Sequence, residues 1–233
     1  SACAKSSQHV EAVRLLDQMQ GRSLSPNVVS FNSAIASCGA SEWEVALQLM
    51  AQMRSCGVDP NSRTYAAAIA ACGKAQQSER ALGLLSEMNA AGVMPDVICY
   101  NSAISACERS GQWQKALQLL ERVEMSKELR PTVVTYNAAM AACDKGLQWK
   151  HALDLLPRLM GRGLAPDLIS FTTLISACAK VGESEAALRL LRQMETVHGI
   201  RPHVPCYTSA IVSCEKACLP DLALQLLGEV EAS

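Results

Sequence analysis

The sequence predicts an all-α chain, a solenoid of stacked helix–turn–helix units about 35 residues long. Three observations predict it. Seven of the eleven cysteines recur at a near-constant interval, and apolar residues recur with helical spacing. A proline also closes each interval. Cys3, Cys38, Cys72, Cys107, Cys143, Cys178 and Cys214 are separated by 35, 34, 35, 36, 35 and 36 residues. Self-similarity at such a period marks supersecondary units that bury their apolar faces by stacking.

The first half of each unit carries apolar residues at i, i+3, i+4 and i+7, as in Tyr100, Ala103, Ile104 and Cys107. That places them on one face of a helix. All four Tyr and both Phe occupy one slot on this face, at Phe31, Tyr65, Tyr100, Tyr136, Phe171 and Tyr207. The second half carries another stripe, such as Ala46, Leu47, Met50 and Met53, or Ala187, Leu188, Leu191 and Met194.

Pro26, Pro60, Pro95, Pro131, Pro166 and Pro202 end the second helices, because proline disfavours helix in the residue before it. Asn27, Asn61, Asp96, Thr132 and Asp167 follow as N-cap residues for the next helix. The units are 1–27, which lacks the start of its first helix, then 28–61, 62–96, 97–132, 133–167 and 168–203. Residues 204–233 form a terminal unit without its closing loop. Unit 28–61 has lost a residue, which we place in its internal turn. Units 97–132 and 168–203 have gained one in the closing loop. Pro157, inside a second helix, predicts a local kink. A chain that opens in mid-unit, without Met, is expected to be a fragment or a processed product.

These residues resemble the pentatricopeptide repeat family, whose units open Val-Val-Thr-Tyr-Asn and end Pro-Asp. Val133-Val134-Thr135-Tyr136-Asn137 with Ala165-Pro166-Asp167 is close to that pattern, and Val28-Val29-Ser30-Phe31-Asn32 is similar. The resemblance covers the whole chain. It implies a right-handed superhelix, a mitochondrial or plastid location, and single-stranded RNA as partner, read at about one base per repeat.

It also implies which positions meet RNA. The fifth residue of a repeat and the last select the base, and the second packs beside it. The fifth residues are Asn32, Ala66, Asn101, Asn137, Thr172 and Thr208. They pair with the last residues as Asn32/Asn61, Ala66/Asp96, Asn101/Thr132, Asn137/Asp167 and Thr172/His203. Asn137/Asp167 resembles a uridine reader and Asn32/Asn61 a pyrimidine reader. Ala66 has no group to offer a base. Val29 and Val134 are second-position residues.

Physical reasoning adds to this. Asn and Thr cost about 0.5–0.7 kcal/mol against Ala in a helix interior. Five of six units nonetheless place one in the fifth slot. A repeated local cost suggests a repeated use, either reading RNA or bonding neighbouring helices into register. Lys5, Lys74, Arg109, Lys145, Lys180 and Lys216 each stand two residues after a periodic cysteine. They could follow one phosphate per nucleotide, or offset the dipole at a helix C-terminus.

Other signals point to packing. The periodic cysteines lie on an apolar face and read as small buried hydrophobes, not metal ligands. Cys214 and Cys218 stand one helical turn apart, but no histidine completes a metal set, so no metal or cofactor is expected. Trp43, Trp113 and Trp149 open second helices and suit inter-repeat packing or a partner strip. His9-Val10-Glu11 matches a deaminase-like His-x-Glu string by chance, since no Pro-Cys-x-x-Cys follows. No catalytic residue and no small-molecule substrate are expected. No apolar run reaches the ~20 residues of a membrane span.

The net charge of −1 gives no global support for nucleic-acid binding. The alternative reading is therefore a protein–protein scaffold within a larger organellar assembly.

Overall fold

The computed structural model describes residues 10–16, 18, 19, 22 and 24–231. Cys3, Lys5, His9 and nearly half of unit 1–27 lie outside them. Every regular element among the described residues is helical, as the repeat pattern predicts. The chain divides into two compact units, 1–130 and 131–233.

In the first unit, a helical segment at 10–16 precedes α1 (Val28–Ser37), α2 (Trp43–Ser55), α3 (Ser62–Lys74), α4 (Ser78–Ala90), α5 (Val97–Arg109) and α6 (Trp113–Met125). In the second come α7 (Val133–Lys145), α8 (Trp149–Gly161), α9 (Leu168–Val181), α10 (Ser184–Thr196), α11 (Val204–Lys216) and α12 (Pro220–Glu231). Odd-numbered helices are the first of each repeat and even-numbered the second. Within each unit, a first helix packs on its own partner and on the next first helix. Each second helix also touches the following first helix.

The sequence dictates where these helices start and stop. Asn27, Asn61, Asp96 and Asp167 accept the N–H of the residue three further on through their side chains. This satisfies a donor that the first turn leaves open. At the other end, the carbonyl of each periodic cysteine from Cys72 on accepts the N–H five residues ahead. Gln77 to Cys72 at 2.9 Å and Gln148 to Cys143 at 2.8 Å are examples. That bond closes a left-handed turn in which Gly111 and Gly182 fit freely. Gln76, Leu147 and Cys218 adopt the same positive φ with a side chain attached.

One detail differs from the sequence reading. The residue missing from unit 28–61 shortens α1 itself. It ends at Ser37, before the cysteine, and Cys38 becomes an extended C-cap. Helix α8 runs unbroken through Pro157, which lies on its exposed side. The hydrogen bond that proline forgoes therefore lies away from the core, and Leu155, Leu156 and Leu159 stay buried.

The core is built from the predicted stripes. Phe31, Tyr65, Ile35, Met53, Met88 and Leu120 are fully enclosed in the first unit, and Tyr136, Met140 and Phe171 in the second. Burying each such side chain contributes about 1.5–3 kcal/mol. Close approach also matters. A Cβ on Gly73 of α3 would meet the Ala106 Cβ of α5 at 3.0 Å, so only glycine lets these two helices pack at this distance. No described helix is long and apolar enough to cross a membrane.

Candidate nucleic-acid interface

The fifth-position residues sit one turn into the first helices. The last-position residues cap the next first helix. Stacking of consecutive first helices brings the two together. Asn32 Nδ2 donates to Asn61 Oδ1 at 3.3 Å, and Asn137 Nδ2 donates to Asp167 Oδ1 at 3.0 Å. Both asparagines are 8% exposed.

Each pair is closed by a hydroxyl from the third residue of the following repeat. Thr64 Oγ1 donates to Asn32 Oδ1 at 2.6 Å and accepts the Asn61 backbone N–H at 3.1 Å. Ser170 Oγ donates to Asn137 Oδ1 at 2.6 Å and accepts the Asp167 N–H at 3.2 Å. The backbone N–H of Thr64 and of Ser170 returns to the capping side chain, at 3.0 and 2.8 Å. The result is a closed ring of hydrogen bonds, with one asparagine N–H left over. The Asn61 amide nitrogen is also left over, and the Asp167 carboxylate takes the Ile169 backbone N–H as well.

The other predicted pairs differ. Asp96 accepts from the Ser62 hydroxyl at 2.6 Å, while its partner position is the buried Ala66. Thr172 donates back to the Leu168 carbonyl at 2.6 Å and meets Cys206 Sγ at 3.4 Å; His203 Nδ1 meets the same sulfur at 3.0 Å. Thr208 likewise bonds back to Val204. Asn101 is half-buried with its Oδ1 enclosed and unpartnered. Thr132 lies in the second unit, where its N–H donates to the Thr135 hydroxyl at 3.0 Å.

The second-position residues Val29, Ile98, Val134 and Ile169 are all more than 60% exposed. They flank the fifth-position residues one helical turn away.

Electrostatics at the two carboxylates is set by competition. Burial alone would raise the Asp167 carboxyl, but hydrogen bonds from the Ser170 N–H, Asn137 and the Ser170 hydroxyl outweigh it and hold the value below normal. Asp96 behaves alike: burial is opposed by Ser62 and the Cys99 N–H, and the net shift is downward.

The basic residues after each cysteine have exposed heads, yet several are tied to the neighbouring repeat. Lys74 Nζ donates to the Cys38 carbonyl at 3.4 Å, and Lys216 Nζ to the Lys180 carbonyl at 2.7 Å. Lys180 pairs with Asp144 at 2.6 Å. Lys74 and Lys216, each in the last turn of its own helix, thus reach the C-terminal end of the preceding first helix as well. Arg109 and Lys145 are exposed at the ends of α5 and α7.

The periodic cysteines from Cys38 on are buried, and burial pushes Cys72, Cys107, Cys143 and Cys178 up to about 11. They are inert packing groups. Cys214 is buried while Cys218 is exposed. Among the described residues, no group of His, Cys, Asp and Glu could hold a metal ion. The three tryptophans are half-buried at the first position of their helices, and Lys150 lies over the Trp149 ring.

Thr64 and Ser170 are the residues that sequence reasoning passed over. A signal was present: each stands three residues after an N-cap, the capping-box spacing.

A family model described as the pentacotripeptide-repeat region of PRORP matches residues 1–146. The chain belongs to the pentatricopeptide repeat family. Shorter models of the repeat match 131–180 and 169–197. No curated protein sequence matches the chain.

Among solved structures, maize pentatricopeptide repeat protein PPR10 in complex with an 18-nt psaJ RNA element is similar. TM-score is 0.56 and identity 22%, over 98% of this chain and 43% of that one. The PPR domain of Arabidopsis thaliana protein-only RNase P 1, in complex with tRNA, gives a TM-score of 0.60 at 16% identity. That match covers 70% of this chain and 86% of the other. At these identities the likeness is one of fold. The chain spans about two fifths of the length of PPR10.

Proposed function

We propose that this chain binds single-stranded RNA sequence-selectively, at about one base per repeat, over about five or six nucleotides. The observation that carries the reading is the closed pair in units 28–61 and 133–167. Each leaves one asparagine N–H and further hydrogen-bonding capacity of the cap beside an exposed aliphatic side chain. Asn137 offers an N–H donor and Asp167 an acceptor oxygen. Uracil has a ring N–H flanked by carbonyls and complements that set. Asn32 and Asn61 offer donors only, which suit the adjacent ring nitrogen and carbonyl of cytosine. The flanking Val29 and Val134 would pack on the base.

The complexes of PPR10 with RNA and of the RNase P repeat domain with tRNA support the reading by fold. The role is passive, protecting or remodelling a transcript in a mitochondrion or plastid. Lys74, Arg109, Lys145 and Lys180 supply phosphate contacts from their exposed heads, so binding weakens with salt. The net charge of −1 favours a second reading, a protein scaffold in an organellar assembly. Selection from a randomised pool of short single-stranded RNAs, at low and physiological salt, tests between them. Motif enrichment supports RNA reading, and its absence at both salts leaves the scaffold.

A further inference from the structure

We propose that the third-position hydroxyls, Thr64 and Ser170, are positioning residues that determine specificity. Each fixes which end of the preceding repeat's asparagine is offered to RNA. This rests on the RNA-binding reading above.

Proton counting fixes the orientation. A hydroxyl has a single proton and can also accept. Thr64 Oγ1 already accepts from the Asn61 backbone N–H at 3.1 Å, a donor that cannot reverse. Its own proton therefore goes to its nearest acceptor, Asn32 Oδ1, at 2.6 Å. The Asn32 carbonyl is thereby committed to the ring, and its NH2 group donates one N–H to Asn61 Oδ1 and keeps the other. Asn61 Oδ1 is itself pinned by the Thr64 backbone N–H at 3.0 Å. Two backbone donors thus set the polarity of the whole ring. The same four links recur at Asn137, Asp167 and Ser170.

The sequence carries an independent trace. In repeat register, asparagine at the fifth position is followed by a hydroxyl at the next third position: Asn32 with Thr64, Asn101 with Thr135, Asn137 with Ser170. Where the fifth residue is Ala66 or Thr172, the next third residue is cysteine, Cys99 or Cys206. A thiol is a weak donor and cannot hold an amide carbonyl as a hydroxyl does. Among the five junctions whose fifth residue lies in this chain, the hydroxyl follows asparagine and cysteine follows the others. The ring itself closes at Asn32 and Asn137, while Asn101 Oδ1 has no partner.

The test compares Thr64→Cys and Ser170→Cys, substitutions the array already accommodates at Cys99 and Cys206, with the conservative Thr64→Ser and Ser170→Thr. Two readouts are taken on the full chain. One is base preference per position from a randomised single-stranded RNA pool. The other is the NMR signals and solvent exchange of the Asn32 and Asn137 side-chain amides in the free protein. The expected result for Thr64→Cys is an about tenfold loss of preference, confined to the nucleotide opposite unit 28–61, with faster Asn32 amide exchange. Ser170→Cys loses less, because charged Asp167 holds the Asn137 amide more strongly than neutral Asn61 holds Asn32. The conservative variants retain both properties. Unchanged preference and exchange in the cysteine variants would overturn the proposal while leaving RNA reading intact. Failure of the unmodified chain to select any motif would overturn the RNA reading and this proposal with it. The two failures are told apart by the unmodified chain alone.

Discussion

Units 28–61 and 133–167 close a ring of hydrogen bonds between fifth residue, cap and following hydroxyl, whereas units 62–96 and 168–203 do not. All four have the same two-helix layout and the same cap position, and three share the left-handed turn; unit 28–61, with its shortened α1, turns through an extended Cys38 instead. The difference lies in two side chains. Asn32 and Asn137 bring an amide that must be satisfied on burial, and Thr64 and Ser170 satisfy it. Ala66 and Thr172 make no such demand: one is apolar, and the other bonds back to its own helix. A register of identical folds thus carries repeats that present fixed polar groups and repeats that do not.

The largest effect that would break this comparison is on stability. Thr64→Val keeps the shape but leaves Asn32 Oδ1 and the Asn61 N–H without partners inside the protein. We expect a loss of about 2–3 kcal/mol in urea unfolding, against about 1 kcal/mol for Cys99→Ala at the equivalent open position. Equal losses would mean the ring holds nothing that packing does not. Grafting sharpens the contrast. Ala66→Asn with Cys99→Thr should build a ring with Asp96. A double-mutant cycle is expected to show a favourable coupling of about 1 kcal/mol.

A smaller effect separates the rings from the turns. Leu147→Gly and Gln76→Gly relieve positive φ values that Gly111 already meets without strain. Each should stabilise by about 0.5–1 kcal/mol while leaving base preference untouched. The smallest effect distinguishes the two rings from each other. Asp167 has a folded value depressed below the ordinary 3.8, so its stability contribution is fully present above that value. It is lost as pH falls through the depressed value. The Asn61 ring has no titrating member. Asp167→Asn should therefore flatten the acid limb of a stability-against-pH curve, whereas changes at Asn61 should not.

Much of this was legible in the sequence, for reasons that particular residues make plain. The cysteine period located α3, α5, α7, α9 and α11, because Cys72, Cys107, Cys143, Cys178 and Cys214 each supply the carbonyl that closes the helix end. The caps at Asn61 and Asp167 followed from their place after proline. The shortened α1 was not legible, since a missing residue can come from a turn or from a helix end with the same spacing. Nor were Thr64 and Ser170, because a hydroxyl in a first turn looks like a local cap until the preceding repeat is stacked on it. The tie of Lys74 to the Cys38 carbonyl was hidden in the same way: it spans 36 residues.

The most direct test of the central claim is selection from a randomised pool of short single-stranded RNAs by the chain and by its Asn137→Ala variant, at low and at physiological salt. The account predicts a motif with uridine opposite unit 133–167. In the variant that preference should fall by about tenfold or more while the rest of the motif persists. No enrichment at either salt, or a motif unchanged by the substitution, would contradict it.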